Sequence, residues 1–411
     1  MNMAKFNFIP IILGANIHAY AAAASFHKDY KKKSVIVAAD YLSFTKFSSL
    51  ISDYYIDKMI YDDKVFIETF ERIAKKYRKK NRKLLLVATT DEYVKVLIKH
   101  EAKLREDFTF NFPTQDLFNQ LYYKKHFYET VASYGIDIPT TYHFNLATIA
   151  TFNEPIRFPA IIKVDDGTAY FNLKFKGKQK IYVLDDYAGI NETIELLHNN
   201  GYREDIIIQE FIEGSDQDLW DIVYYGDSNG KAQVITLAQV LLQEPAMTAI
   251  GNYTALISRY DKDLMDKVIK MMESMHYTGF ANFDLKYDHR DGKYKFFEVN
   301  LRAGRSSSYV KETGYSIARC YVEDLILNQS HPVKYLDTTH LFTVVPKDII
   351  LKYVKQKSLR KEIKQLIYKH QYYNPLFYAK DRSVKRKAYL LMRNAKYHLK
   401  YKNSEWYKEQ K

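Results

Sequence analysis

The 411-residue chain has one cysteine, Cys320, which excludes an internal disulfide and fits a reducing, cytoplasmic compartment. It has no unbroken apolar run long enough to span a membrane, although 47% of its residues are hydrophobic. It also lacks an internal repeat, a low-complexity linker and a complete G-x-G-x-x-G fingerprint. What remains is a globular chain long enough for two or three domains, each with its own core. Acidic residues are scarce at one end only. From His331 to Lys411 there are 20 Lys and Arg against 6 Asp and Glu, a balance of +14. The whole chain carries +13, so the first 330 residues sum to −1 and the basic character belongs to the tail.

The N-terminal stretch FNFIPIILGANIHAYAAAAS, after Lys5, imitates a secretory leader with its basic start and apolar run. Asn16 and His18 interrupt that run. The alternative, which we favour, is a buried parallel strand from Phe6 to Leu13 that turns at Gly14 into an Ala-rich helix from about Ala19. Two further apolar runs, Ser34–Ala39 and Leu84–Ala88, read as parallel strands, and Val65–Tyr77 has helical periodicity. Thr89-Thr90-Asp91-Glu92 predicts an N-cap for a helix beginning at Tyr93. Residues 1–118 are therefore expected to form an open α/β domain.

A helix is expected from Asp116 to Tyr134, and it carries Lys124. Lys163 ends a buried strand beside a loop containing Gly167; a lysine there is costly unless it meets an anion, and Lys124 could approach the same one. The connection Glu210-Phe211-Ile212-Glu213-Gly214 follows another buried strand and could frame a planar base. Further on, two β-rich runs, Phe280–Tyr287 and Tyr294–Leu301, flank Asp291-Gly292, a pair suited to a tight hairpin. Strand alternation puts Glu298 and Asn300 on one face, and folding the hairpin brings Asp284 close to Glu298. Such an all-oxygen set suits Mg²⁺ (or Mn²⁺) held together with nucleotide phosphates. Phe296, Phe297 and Val299 predict a buried strand, which weighs against the plainer alternative of a solvated hairpin. Arg302 and Arg305, just beyond, suit phosphate or carboxylate oxygens.

The order of these parts resembles an ATP-grasp carboxylate–amine ligase over about residues 6–330. IGNYTALI, TGFANFDLKYD, DGKYKFFEVNLRAGRSSSYV and GYSIARCYVEDL look closest to the D-aspartate ligase group, which attaches D-aspartate to the lysine side-chain amine of peptidoglycan precursors. The resemblance implies an α+β ATP-grasp fold. Its parts would be an N-terminal domain (1–118), a small lobe with its hinge (119–212), a catalytic lobe (213–330) and a basic helical extension (331–411). It also implies that Lys124, Lys163 and the Gly167 loop hold ATP phosphates. Glu210, Phe211 and Ile212 would line the adenine, and Asp216 or Asp218 would reach the ribose. Asp284, Glu298 and Asn300 would bind the metal, Arg302 would face the acyl phosphate, and Arg305 with Ser306–Ser308 would hold amino-acid carboxylates.

Two positions depart from the family pattern. Tyr123 precedes Lys124 where an Asp is usual, and Glu213 stands where the hinge commonly has Pro. Two other functions stay open at this level: a ligase acting on a surface polysaccharide or small amino acid, and a nucleotide-binding module without turnover. The tail alternates aliphatic and basic residues at helical spacing, which predicts either a contact with anionic membrane or a helical appendage packed on the enzyme. No nucleic-acid readout motif accompanies its charge.

Overall fold

The computed structural model describes residues 7–147, 150–164, 170, 173–179, 181–246 and 249–409. The chain divides into two compact units. One comprises Met1–Phe118, Ser215–Phe283 and Val299–Lys411, and the other Asn119–Gly214 and Asp284–Glu298.

The first unit begins with β1 (Phe8–Leu13), β2 (Ser34–Ala38), β3 (Ile51–Ile56), β4 (Lys83–Ala88) and β5 (Phe108–Thr109), a parallel sheet in the order β3-β2-β1-β4-β5. Parallel strands covered on both faces must be apolar throughout, and β1, β2 and β4 are almost entirely buried. The leader-like segment is thus the central strand. Gly14 follows it with φ +118°, where a Cβ would lie 2.1 Å from Thr89 Oγ1, so only glycine fits. Asn16 then caps the helix Ile17–Tyr30 by accepting from Ala19 N at 3.0 Å. The four consecutive alanines of that helix are all buried, their small side chains admitting neighbours on every side.

The second unit holds the antiparallel strands β6 (Thr141–Asn145), β7 (Ala160–Val164), β8 (Ile181–Leu184) and β9 (Asp205–Glu210), ordered β6-β9-β7-β8. Ile190, Ile194 and Leu197 of the helix Tyr187–Asn199 pack on Ile162, Ile206 and Ile208 from this sheet. Back in the first unit, β10 (Leu219–Gly226), β11 (Ala232–Gln243) and β12 (Tyr253–Arg259) form an antiparallel core. The hairpin is β13 (Gly279–Asp288) and β14 (Lys293–Asn300), turning through Gly292 at φ +72°.

Three expectations change. The helix placed over Asp116–Tyr134 is two helices, Gln115–Tyr122 and Lys124–Ser133, broken at Tyr123, whose backbone is extended. No Gly or Pro marks that break. β3 and β12 were not foreseen. The tail is more than helices: β15 (Lys334–Tyr335) pairs with β11, β16 (Leu341–Thr343) with β12, and β17 (Tyr372–Tyr373) with β16. Its helices Lys347–Tyr353 and Lys357–Tyr368 bury Ile349, Ile350, Leu359, Ile363 and Leu366 in one cluster with Leu241, Leu242, Ala255 and Ile257. The tail is thus packed on the enzyme through these apolar residues.

Candidate active site

Most of the expected nucleotide residues lie in the second unit. Lys163 is half-buried in β7, and its Nζ donates to Gln209 Oε1 at 3.3 Å. The same ammonium stands 5.9 Å from the centre of the Phe297 ring. Lys124 is the first residue of its helix, at the positive end of the helix dipole, where a cation does not help the helix. Its place there favours a partner anion. Gly167 lies outside the described residues.

At the end of β9 the Glu210 carboxylate is already engaged. It accepts from Thr140 N and from Arg290 Nη2, both at 2.9 Å. Arg290 also chelates Asp288, holding that carboxyl below the usual range. Glu210 is therefore a clamp between the strand end and the hairpin turn, its carboxylate held by protein donors. Phe211 N donates to Pro159 O at 2.9 Å, the Phe211 ring faces Lys286 Nζ at 5.1 Å, and Ile212 is buried.

The hairpin acids are more open than expected. Glu298 is exposed and Asp284 half-buried, while Phe296 and Val299 turn inward. Along β14, Glu298 and Asn300 share a face with the buried Phe296, nearer the turn, while Val299 lies on the other face, and the exposed Glu298 carboxylate bears no burial cost. Among the described residues there is no group of three or more His, Cys, Asp or Glu suited to a metal. The Asp284, Glu298 and Asn300 set has only two carboxylates and an amide, all hard oxygen donors of the kind Mg²⁺ accepts.

The first unit presents a cationic site. Arg302 Nη2 donates to Asn300 Oδ1 at 2.8 Å, and its Nε lies 3.3 Å from Asp91 Oδ2. Asp91 opens the helix after β4, and its other oxygen accepts from Leu301 N at 2.9 Å. Arg305 Nη1 donates to Glu244 Oε1 at 2.9 Å and to Tyr253 O at 3.3 Å. Glu244 is fixed in turn by Tyr397 OH from the tail, at 2.7 and 3.0 Å. Arg305 Nε is buried without a hydrogen-bond partner, and Arg302 Nε is ion-paired with Asp91 without a well-aligned hydrogen bond, so both guanidinium groups suit a further anionic ligand. His18 Nδ1 lies 3.2 Å from Thr89 O; a carbonyl only accepts, so Nδ1 carries the proton and Nε2 keeps its lone pair. Burial, then Arg302 and Arg305, hold the His18 pKa well below its ordinary value, so the ring is neutral. His18, Asp91 and Glu244 were not assigned to a site from sequence. The signal available for His18 was a polar residue inside an apolar stretch.

A buried polar network supports the two arginines. Gly304 N donates to Asn282 Oδ1 and Ser307 Oγ, and a Cβ at Gly304 would come 2.7 Å from Arg302 Nη1. Ser306 Oγ and Asn282 Nδ2 both donate to Asp221 Oδ2, at 3.0 and 3.2 Å, and Tyr309 OH donates to Oδ1. Ser306, Ser307 and Ser308 are buried in this scaffold, which corrects their expected contact with substrate carboxylates. Asp216 is corrected too. It is 0% exposed and accepts from Gln243 N and Nε2, Trp406 Nε1 and Tyr407 OH, so it ties the tail to β11 rather than reaching a ribose.

Burial raises the Asp221 pKa from 3.8 to about 6, against the pull of its hydrogen bonds. Its contribution to stability is complete below about pH 4 and is lost as pH rises through about 6, a change on the order of 3 kcal/mol. Asp221→Asn cannot ionise. Its melting temperature relative to wild type is expected to climb between pH 4 and 6 and level off above; His18 titrates in both proteins and cancels in the difference. A difference that stays flat across this window would show that the ionised carboxyl is fully compensated.

The fold agrees with solved ATP-grasp structures. N5-carboxyaminoimidazole synthetase from Staphylococcus aureus aligns with TM-score 0.61 at 15% identity, covering 89% of this chain and 88% of that one. The L-amino acid ligase from Bacillus licheniformis aligns with TM-score 0.54 at 14% identity, covering 83% and 81%. Residues 249–323 match the family described as carbamoyl-phosphate synthase L chain, ATP binding domain. Fold and family together define an ATP-grasp enzyme, an ATP-dependent carboxylate–amine ligase. Along almost the whole length, the D-aspartate ligase of Enterococcus faecium (strain Aus0004) is 34% identical over 399 residues, 94% of this chain and 93% of that protein. The chain belongs to the D-aspartate ligase family.

Proposed function

We propose that this enzyme activates D-aspartate as an acyl phosphate at the expense of ATP and joins it to an amine of a peptidoglycan precursor, releasing ADP and phosphate. The observation that carries the acidic substrate is the pair of half-buried Arg302 and Arg305 guanidinium groups beside a neutral His18. Two cations suit a substrate with two carboxylates. The D configuration follows the name of the 34% identical relative, and the precursor follows the family resemblance of the sequence.

In this reading Lys124 and Lys163 hold ATP phosphates, and the Phe211–Ile212 backbone borders the base. Asp284, Glu298 and Asn300 hold Mg²⁺, which when bound neutralises phosphate charge during phosphoryl transfer. A carboxylate is a poor electrophile; phosphorylation gives it a leaving group, and attack by the amine then expels phosphate. Arg302 stabilises the negative oxygens of the acyl phosphate, and Arg305, braced by Glu244, orients the second carboxylate. Neither step calls for a Cys or Ser nucleophile, and Cys320 is buried with its pKa pushed up by burial.

The test is phosphate release from ATP across a panel of D- and L-amino acids, with and without an amine-bearing precursor. D-aspartate should give the highest rate, and amide formation should need the precursor. A preference for a neutral amino acid would overturn the role given to the two arginines.

A further inference from the structure

The helix Val384–Asn403 has two opposed faces. One buries Arg386, Leu390, Arg393, Tyr397 and Tyr401 in the first unit. The other exposes large apolar side chains: Val384 is 78% exposed, Leu391 70%, Leu399 60% and Met392 57%. Ala388 and Ala395, also exposed, fill the intervals. At about 100° per residue these six positions fall within an arc of roughly 100°, directly opposite the buried face. Single exposed apolar residues are ordinary, but a continuous stripe on one helix is not.

The stripe is bordered by positive charge. Lys385, Lys396 and Lys400 flank it on one side and Lys387 on the other, all exposed, with Lys402 at its C-terminal end. The helix contains no Asp or Glu. This composition argues against a second copy of the chain, because apposed stripes would bring lysine against lysine. It fits a surface that is apolar inside and anionic at its rim. Among the described residues no helix is long and apolar enough to cross a membrane, so any contact of this kind is peripheral.

We propose that the outer face of Val384–Asn403 lies in the headgroup layer of an anionic phospholipid membrane, with Val384, Leu391, Met392 and Leu399 inserted and the lysines paired with lipid phosphates. The inner face of the same helix supports Arg305 through Tyr397 and Glu244, so docking would not disturb the fold. The proposal does not depend on the identity of the amino acid substrate.

The test uses the full-length protein and two sets of vesicles, one of phosphatidylcholine alone and one with a third of the lipid as phosphatidylglycerol. Wild type should sediment with the second set and be released by salt. Leu391→Glu/Leu399→Glu, and separately a glutamine variant of Lys385, Lys387, Lys396 and Lys400, should each lower that partition by at least about tenfold. Circular dichroism and turnover with soluble substrates should match wild type in both. Absence of vesicle binding, equal binding to both lipids, or undiminished binding by the Leu391/Leu399 variant would overturn the proposal. So would a wild-type dimer that this variant converts to monomer, since a second copy would then cover the stripe.

Discussion

Glu298→Gln and Asp284→Asn are each expected to cut ligase turnover by at least about a hundredfold while leaving the melting temperature nearly unchanged. The two side chains sit on the open side of the hairpin, Glu298 exposed and Asp284 half-buried. Each replacement keeps the shape of the side chain and removes one negative charge, so the core loses no volume. What is lost is charge on a hard-oxygen set of two carboxylates and one amide, and divalent cation affinity falls steeply with ligand charge. The check is phosphate release at saturating ATP and D-aspartate over a Mg²⁺ titration. If the effect is on metal affinity, part of the rate should return at high Mg²⁺ or with Mn²⁺. A wild-type rate in either variant at ordinary Mg²⁺ would remove these residues from the site.

The parts of this protein that were legible in its sequence were those where one local rule decides. β1 and its glycine turn were visible because a doubly covered parallel strand is apolar throughout and Gly14 has no room for a Cβ. The hairpin was visible because Asp291-Gly292 and two β-rich runs agree on one turn. Other features depend on pairing across long stretches of chain, and local pattern does not report them. Asp216 looked like a ligand by spacing, yet its partners Trp406 and Tyr407 come from the far end of the sequence. Glu210 was placed correctly at a strand end, but only the fold reveals that Arg290 occupies its carboxylate. The serines after Arg305 carry the same lesson. A polar run after a strand is compatible with a ligand or with a buried scaffold, and Asn282 and Asp221, remote in sequence, make it a scaffold. His18 is a lone polar residue in an apolar stretch and Glu244 ends one beside Gln243 and Pro245; neither recurs at a spacing that marks a site.

Truncation after Val345 is expected to abolish the soluble enzyme. The segment removed supplies Ile349, Ile350, Val354, Leu359, Ile363, Leu366, Tyr397, Tyr401 and Tyr407 to the core around β11 and β12. Burying one such aliphatic or aromatic side chain contributes about 1.5–3 kcal/mol, whereas a domain's net stability is only about 5–15 kcal/mol. Loss of all nine, about 14–27 kcal/mol, matches or exceeds that margin. Polar damage adds to it. Asp216 would lose Trp406 and Tyr407, and Tyr20, Ser48 and Ser49, near the parallel sheet, would lose Asp381, which accepts from Ser48 Oγ at 2.8 Å and Ser49 N at 3.0 Å. Arg386, stacked 3.5 Å from the centre of the Tyr20 ring, would go with it. The truncated chain should therefore appear in the insoluble fraction, or as aggregate by size-exclusion chromatography, under conditions where the full chain is soluble. Arg305 gives a finer check on the same segment. Tyr397→Phe keeps the packing but removes the hydroxyl that fixes Glu244, so it should stay folded and raise the KM for the amino acid more than it lowers kcat. A soluble truncated chain with a cooperative melt would show instead that the first 345 residues hold their core without the tail.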